Sequence, residues 1–175
     1  QKINPFQPSV DFLKNERFRN VFGLSLLLAS VYMLLAFSSF LITWQIDQDK
    51  VMGPWQELFF SETDIKVDNW LGKLGAVISH VFIHMGFGVA SFIFVALSFL
   101  AGFRILFGIS LFPLRKFFKR AFFMLLWLSV SIGFIFYDKY FFLGGTFGYQ
   151  SSLWLNNTLG TIGTGFLLVF ILFGF

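Results

Sequence analysis

The residues best placed to do chemistry are two histidines one helical turn apart, His80 and His84, inside "GKLGAVISHVFIHMGFG", 72–88. An i, i+4 pair on a helix can present two imidazoles to one metal ion. A hydrolytic zinc site of the H-E-x-x-H type also needs a glutamate beside the first histidine, and Val81 stands there. No carboxylate lies within several turns, and a chain with no cysteine has no thiolate ligand to add. The pair therefore reads as interfacial packing and headgroup hydrogen bonding. No metal site and no catalytic group are assigned. No G-x-x-x-x-G-K-[ST] loop occurs, so the chain carries no nucleotide-binding residues and no cofactor of its own. The sequon "NNT", 156–158, reads as the polar start of an apolar run, not as a modification site.

The elements that position these residues belong in lipid. The 175 residues are 57% hydrophobic and 13% charged, against roughly 25% charged in a soluble domain. Apolar runs of about twenty residues match the bilayer core and exceed what a soluble core of this size could cover. The 29 phenylalanines suit lipid-facing positions and interfacial belts. The fold class is thus an all-α integral membrane protein, with spans at about 21–44, 88–107, 121–137 and 159–175 following a juxtamembrane tail, 1–20. A first residue other than methionine and a last residue inside an apolar run lead us to expect a piece of a longer protein. No cleavable signal peptide is visible.

Lysine and arginine set the orientation. Lys2, Lys14, Arg17 and Arg19 precede the first span, and Arg115, Lys116, Lys119 and Arg120 fill the turn between the second and third. The opposite side holds Lys50, Lys66, Lys73 and Lys139, diluted by Asp47, Asp49, Glu57, Glu62, Asp64, Asp68 and Asp138. Eight basic residues against four put the tail and the 113–120 turn in the cytoplasm. Loop 45–70 and segment 138–158 then lie outside, with both ends of the chain inside. Arg17, Arg19, Arg104, Arg115, Lys116, Lys119 and Arg120 read as inner-face anchors, drawn to lipid phosphates at ~1 kcal/mol each. Trp44, Trp70 and Trp154 form an outer aromatic belt.

A shift of 72 residues lays 71–103 on 143–175 without a gap, pairing Gly72 with Gly144, Gly88 with Gly160 and Gly102 with Gly174. The unit is a span outward, an outer loop, a half-polar helix and a span back, present twice as parallel repeats about the membrane normal. Each half-polar helix (about 71–85 and 148–157) reads as an interfacial helix at the outer surface, with Gly88 and Gly160 as joints. In the first, Leu71, Leu74, Ile78, Val81, Phe82 and Met85 share one face, and Lys73, His80 and His84 another. Small residues allow close helix approach, which drives association in lipid. The candidates are Gly72, Gly75, Gly86, Ser98, Gly102, Gly144, Gly145, Gly148, Gly160, Thr161, Gly163, Thr164 and Gly165.

These residues carry a resemblance. "NWLGKLGAVISHVFIHMGFGVASFIFVALSFLAGFRIL" is similar to the first repeat of the four-span N-terminal domain of FtsK/SpoIIIE-type DNA translocases, through Asn69, Leu71, Gly72, Gly75, Ala76, Gly86 and Gly88. "FLGGTFGYQSSLWLNNTLGTIGTGFLL" resembles the second block, through Gly144, Gly145, Gly148, Leu159, Gly160, Gly163 and Thr164. The resemblance implies a membrane anchor and assembly domain for an ATP-driven motor that moves double-stranded DNA in chromosome segregation and cell division. It further implies a cytoplasmic linker and hexameric motor beyond residue 175, where ATP and Mg would bind. The implied partners are the bilayer, further copies of the chain, other division-machinery membrane proteins, and double-stranded DNA through the motor only. The implied location is the bacterial inner membrane, at the division septum. The alternatives are a membrane scaffold unrelated to DNA or a small transporter subunit. A transporter usually places acidic groups at mid-membrane, and none of the four spans contains Asp or Glu.

Overall fold

Asn15 starts the first helix, its side-chain oxygen accepting the Arg17 N–H at 3.1 Å. That helix, α1, runs Glu16–Val51 in a computed structural model that describes residues 15–53, 55–60, 65–109, 113–138 and 140–174. It has 36 residues, and at ~1.5 Å per residue it outreaches a ~30 Å hydrocarbon core by several turns. A short helix α2, Trp55–Phe60, follows. Then come α3, Gly72–Ser79, which passes into π-helical turns at His80–Phe87, and a 3₁₀ turn at Gly88–Ser91. The chain continues as α4, Phe92–Phe107, and α5, Leu114–Ile135. A 3₁₀ turn, Phe141–Leu143, leads into α6, Gly145–Gly174, which bends at Gly160. Among the described residues there is no strand, and four helical stretches are long and apolar enough to cross a membrane.

Helix α1 exceeds the expected first span because "QIDQDKV", 45–51, stays helical. Its one buried charge, Asp47, finds backbone donors in the returning loop. The carboxylate accepts the N–H of Asp68 at 2.7 Å and of Asn69 at 2.9 Å, and Lys50 lies 3.5 Å away. Asn69 donates in turn to the Ala36 carbonyl at 3.1 Å, and the Trp70 N–H reaches Ser39 Oγ at 2.9 Å. The loop 65–71 is thereby fastened along α1 before the histidine segment begins.

Helix α4 runs back along α1 through small residues. A β-carbon on Gly102 would stand 2.9 Å from the Gly23 oxygen and the Leu27 nitrogen, and one on Gly23 would stand 2.9 Å from the Leu106 nitrogen. At the other end Phe37 meets the Phe92 ring edge-on, 5.6 Å between centroids. Helices α5 and α6 pair similarly: a β-carbon on Gly133 would lie 2.5 Å from Gly148, and Trp127 Nε1–H donates to the Leu168 carbonyl at 2.9 Å. Ala36, Phe37, Phe40, Ile83 and Phe142 form the buried cluster where α1, the histidine segment and the 141–143 turn converge.

Each long pair is therefore a helix and the span that follows it. The fourth span leans on α5 and leaves Ile162, Phe166, Phe170 and Phe173 exposed. Close backbone approach, not apolar burial alone, explains this pairing, because lipid offers apolar side chains an equally good solvent.

Candidate functional site: the glycine hinges

Five glycines have positive φ: Gly72 (64°), Gly88 (63°), Gly108 (71°), Gly145 (69°) and Gly160 (73°). Four of them bound two segments, 72–88 and 145–160, and an L side chain is strained in such backbone. At Gly88 the ψ is −143°, and at Gly160 it is 164°, so both hinges occupy a region almost reserved for glycine. Gly86, with φ −92° and ψ −119°, adds a second break two residues before the first hinge. The first segment is one residue longer than the second, and it is the one that contains π-helical turns. A π-turn accommodates an extra residue within a helix, so the lengths and the helix type agree.

The two segments meet backbone to backbone. A β-carbon on Gly88 would overlap the Leu143 carbonyl, and one on Gly145 would overlap the Gly86 oxygen and the Gly88 nitrogen. Thr146 Oγ1 donates to the His84 carbonyl at 2.9 Å. From the other side, Ser129 Oγ donates to the Gly144 carbonyl at 2.7 Å, while Gly144 rests on Gly133 and Gly148 rests on Ser129. Gly75 is held by the loop that precedes its segment, where a β-carbon would stand 2.5 Å from Asn69 Oδ1.

The remaining small residues are placed less uniformly. Ser98 is half-buried and lines a cavity of about 390 Å³ among α1, α4 and α5 with Leu26, Phe94 and Phe122. Thr164 is fully buried, its hydroxyl donating to the Gly160 carbonyl at 2.9 Å, and Gly165 faces the Phe134 ring at 3.7 Å. Gly163 is half-buried, whereas Gly160 and Thr161 are exposed. The four-residue stripe 160–165 is thus divided, with one part facing α5 and the other facing away from the chain.

The histidine segment buries its imidazoles and divides its apolar face, with Leu71, Ile78 and Phe82 packed against the core. His80 and His84 are each only 6% exposed, while Leu74, Val81 and Met85 are open. The imidazoles stack with centroids 4.6 Å apart, and His84 meets Phe141 edge-on at 5.3 Å. They line a cavity of about 660 Å³ together with Val51, Met52, Leu58 and Thr146, so the roof over them is the extension of α1 that reads as loop in the sequence. His84 Nε2 is buried without a hydrogen-bond partner. Among the described residues no third metal-ligating side chain joins the pair. The residues present do not fit a nucleotide or its magnesium ion either, since no phosphate-binding loop exists in the sequence.

Arg17 and Arg19 in the first turns of α1, Arg104 in the last turn of α4, and Lys116, Lys119 and Arg120 in the first turns of α5 lie at the helix ends away from the hinges, all exposed. Lys2 and Lys14 and the side chain of Arg115 lie outside the described residues. Trp70 and Trp154 are exposed at the hinge end, whereas Trp44 is stacked on Phe142 at 4.3 Å and is part of the packing. Sequence reading had missed Gly23, Gly133 and Ser129. An isolated small residue in an apolar run carries no mark of its partner.

Among the described residues, four helical stretches long and apolar enough to cross a membrane, interrupted at glycine hinges, define a multi-pass membrane domain. The chain belongs to the FtsK/SpoIIIE family: the sequence model of the 4TM region of DNA translocase FtsK/SpoIIIE matches residues 15–175. No curated protein and no solved structure shows a significant match to the chain.

Proposed function

We propose that this domain anchors and helps to assemble an ATP-driven double-stranded DNA translocase that acts in chromosome segregation and cell division. The observation that carries the reading is the family match across residues 15–175. The geometry supports it in two ways. The exposed basic residues at one end, Arg17, Arg19, Arg104, Lys116, Lys119 and Arg120, suit the anionic inner leaflet, which supports a cytoplasmic position for that end. Both ends of the described chain then reach the side where a motor would work. ATP and magnesium belong to that motor, which also makes the DNA contact, so this chain is not itself an enzyme. The anchor sits in the bacterial inner membrane at the division septum, where further copies and other division proteins surround it.

Two measurements test the reading. The full-length protein must carry a G-x-x-x-x-G-K-[ST] loop downstream of this domain, and its absence would overturn the motor assignment. Exchanging residues 15–175 for an unrelated four-span anchor of the same topology should keep membrane attachment and ATPase rate but lose septal localisation and division. Normal division after the exchange would reduce the domain to a tether.

A further inference from the structure

The contact between the two hinged segments has one occupied copy and one vacant copy. Counted from their positive-φ glycines, Gly72 corresponds to Gly145 and Lys73 to Thr146. Likewise Gly88 corresponds to Gly160 and His84 to Asn156. The end of the first segment meets the start of the second: Gly86–Gly88 lies on Leu143–Gly145, and Thr146 donates to the His84 carbonyl. The complementary pair, the end of the second segment and the start of the first, does not meet. A β-carbon on Gly72 or on Gly160 would find no atom within 4 Å.

If the two units closed on each other as a twofold pair, the Gly160 hinge would return to the Gly72 start and both glycines would be covered. They are open, so the junction runs head to tail. A head-to-tail contact between equivalent units propagates, either around a ring or along a filament, until another unit fills the free end. The same two kinds of surface already fit each other once within this chain, which identifies the occupant as another copy of it.

We infer that the Gly160 hinge of one copy docks on the Gly72 start of a second copy, in the arrangement that Gly88 and Gly145 adopt within one chain. The side chains at the vacant junction suit it. Asn156 lies one turn before the hinge, and Lys73 has no ion-pair partner among the described residues. Lys73 stands where Thr146 stands in the occupied junction, and its ammonium replaces the threonine hydroxyl as donor to the backbone carbonyl at Asn156, as Thr146 donates to that of His84. The inference rests on the geometry of the two segments and not on the DNA motor, so its failure would leave that reading intact.

Residues 1–175 contain no cysteine, so the cysteine-free background is completed by serine at any cysteine elsewhere in the full-length protein. In native membranes containing the full-length protein, Lys73→Cys with Asn156→Cys should give, after a short bis-thiol crosslinker, a ladder of covalent dimers and higher species. Each single variant should give none above the cysteine-free background. Co-expressing one chain carrying Lys73→Cys with another carrying Asn156→Cys should stop the ladder at dimers. His84→Cys with Thr146→Cys should crosslink within the monomer. The double variant remaining monomeric would overturn the inference, as would a single variant dimerising with itself, which marks a face-to-face contact. If the cysteine pair lowers membrane levels, Leu74→Cys with Asn157→Cys, both exposed beside the vacant junction, serves instead and should give the same ladder. Monomer alone from that pair would equally overturn the inference, and would leave lipid or another membrane protein at Gly72 and Gly160.

Discussion

Asp47 accepts the backbone N–H of Asn69, whose side chain is tied to a second level of the same helix. The Asp47 carboxylate accepts the Asn69 N–H at 2.9 Å, while the Asn69 amide donates to the Ala36 carbonyl at 3.1 Å, eleven residues back along the same helix. One residue thus bridges two levels of α1 and fixes where the histidine segment starts. With Asp47 only 3% exposed, Asp47→Ala leaves two backbone donors without their charged acceptor. Hydrogen bonds to charged groups contribute ~1.5–3 kcal/mol each, so for the two together we expect a loss of about 3–6 kcal/mol. The check is the thermal unfolding midpoint of the detergent-purified chain. A midpoint within a degree of wild type would show that water replaces the carboxylate at no cost.

The α5–α6 crossing depends on bare backbone at Gly133, Gly144 and Gly148. A β-carbon on Gly148 would overlap the Ser129 carbonyl, and one on Gly133 would lie 2.5 Å from Gly148. Overpacking of this kind costs ~1–3 kcal/mol where the neighbour can shift, and here the neighbour is helix backbone. Gly133→Ala and Gly148→Ala should each lower the unfolding midpoint clearly. Gly174→Ala, which meets nothing within 4 Å, should leave it unchanged. Equal behaviour of all three would remove the close-approach account.

Orientation is checked by labelling. The exposed Lys66 lies near Asp68 in sequence at the hinge end, and the exposed Lys116 lies at the start of α5, away from the hinges. A cysteine at Lys66 should react with an impermeant maleimide added outside intact cells, and one at Lys116 only after the membrane is opened. The reverse pattern would invert the topology drawn from the basic residues.

Much of this architecture was legible because lipid imposes it. A run such as "VFGLSLLLASVYMLLAFSSFLITW", 21–44, has no alternative to a helix in a solvent without hydrogen-bond partners. Glycine at 88 and at 160, each followed by an apolar run, marked the joints because both positions need φ that other residues avoid. Two features were hidden. The polar stretch 45–51 reads as loop, yet it is helical because Asp47 is neutralised in part by Lys50 and capped by loop N–H groups far away in sequence. The gapless offset of 72 matches Gly72 to Gly144, whereas the positive φ falls on Gly145. The extra residue is absorbed by π-helical turns at 80–87, and no propensity in "HVFIHMGF" announces a π-helix. The burial of His80 and His84 was unreadable for the same reason as the roof above them.

The hinges Gly88 and Gly160 separate two causes that sequence alone cannot. Both have backbone angles that cost an L residue about 1–3 kcal/mol. Only Gly88 is also crowded, its missing β-carbon being the space in which the Leu143 carbonyl lies, while Gly160 is open. In detergent-dispersed single chains, Gly160→Ala should therefore lower stability by about the strain alone and still yield folded protein. Gly88→Ala adds a clash between the two hinged segments, which neither backbone can relieve without breaking the Thr146 to His84 hydrogen bond. We expect it to abolish the folded fraction or to drop the unfolding midpoint at least twice as far. Should the two alanine variants lose equal stability, backbone strain would be the whole cause and the packed junction would contribute nothing to the fold of the single chain.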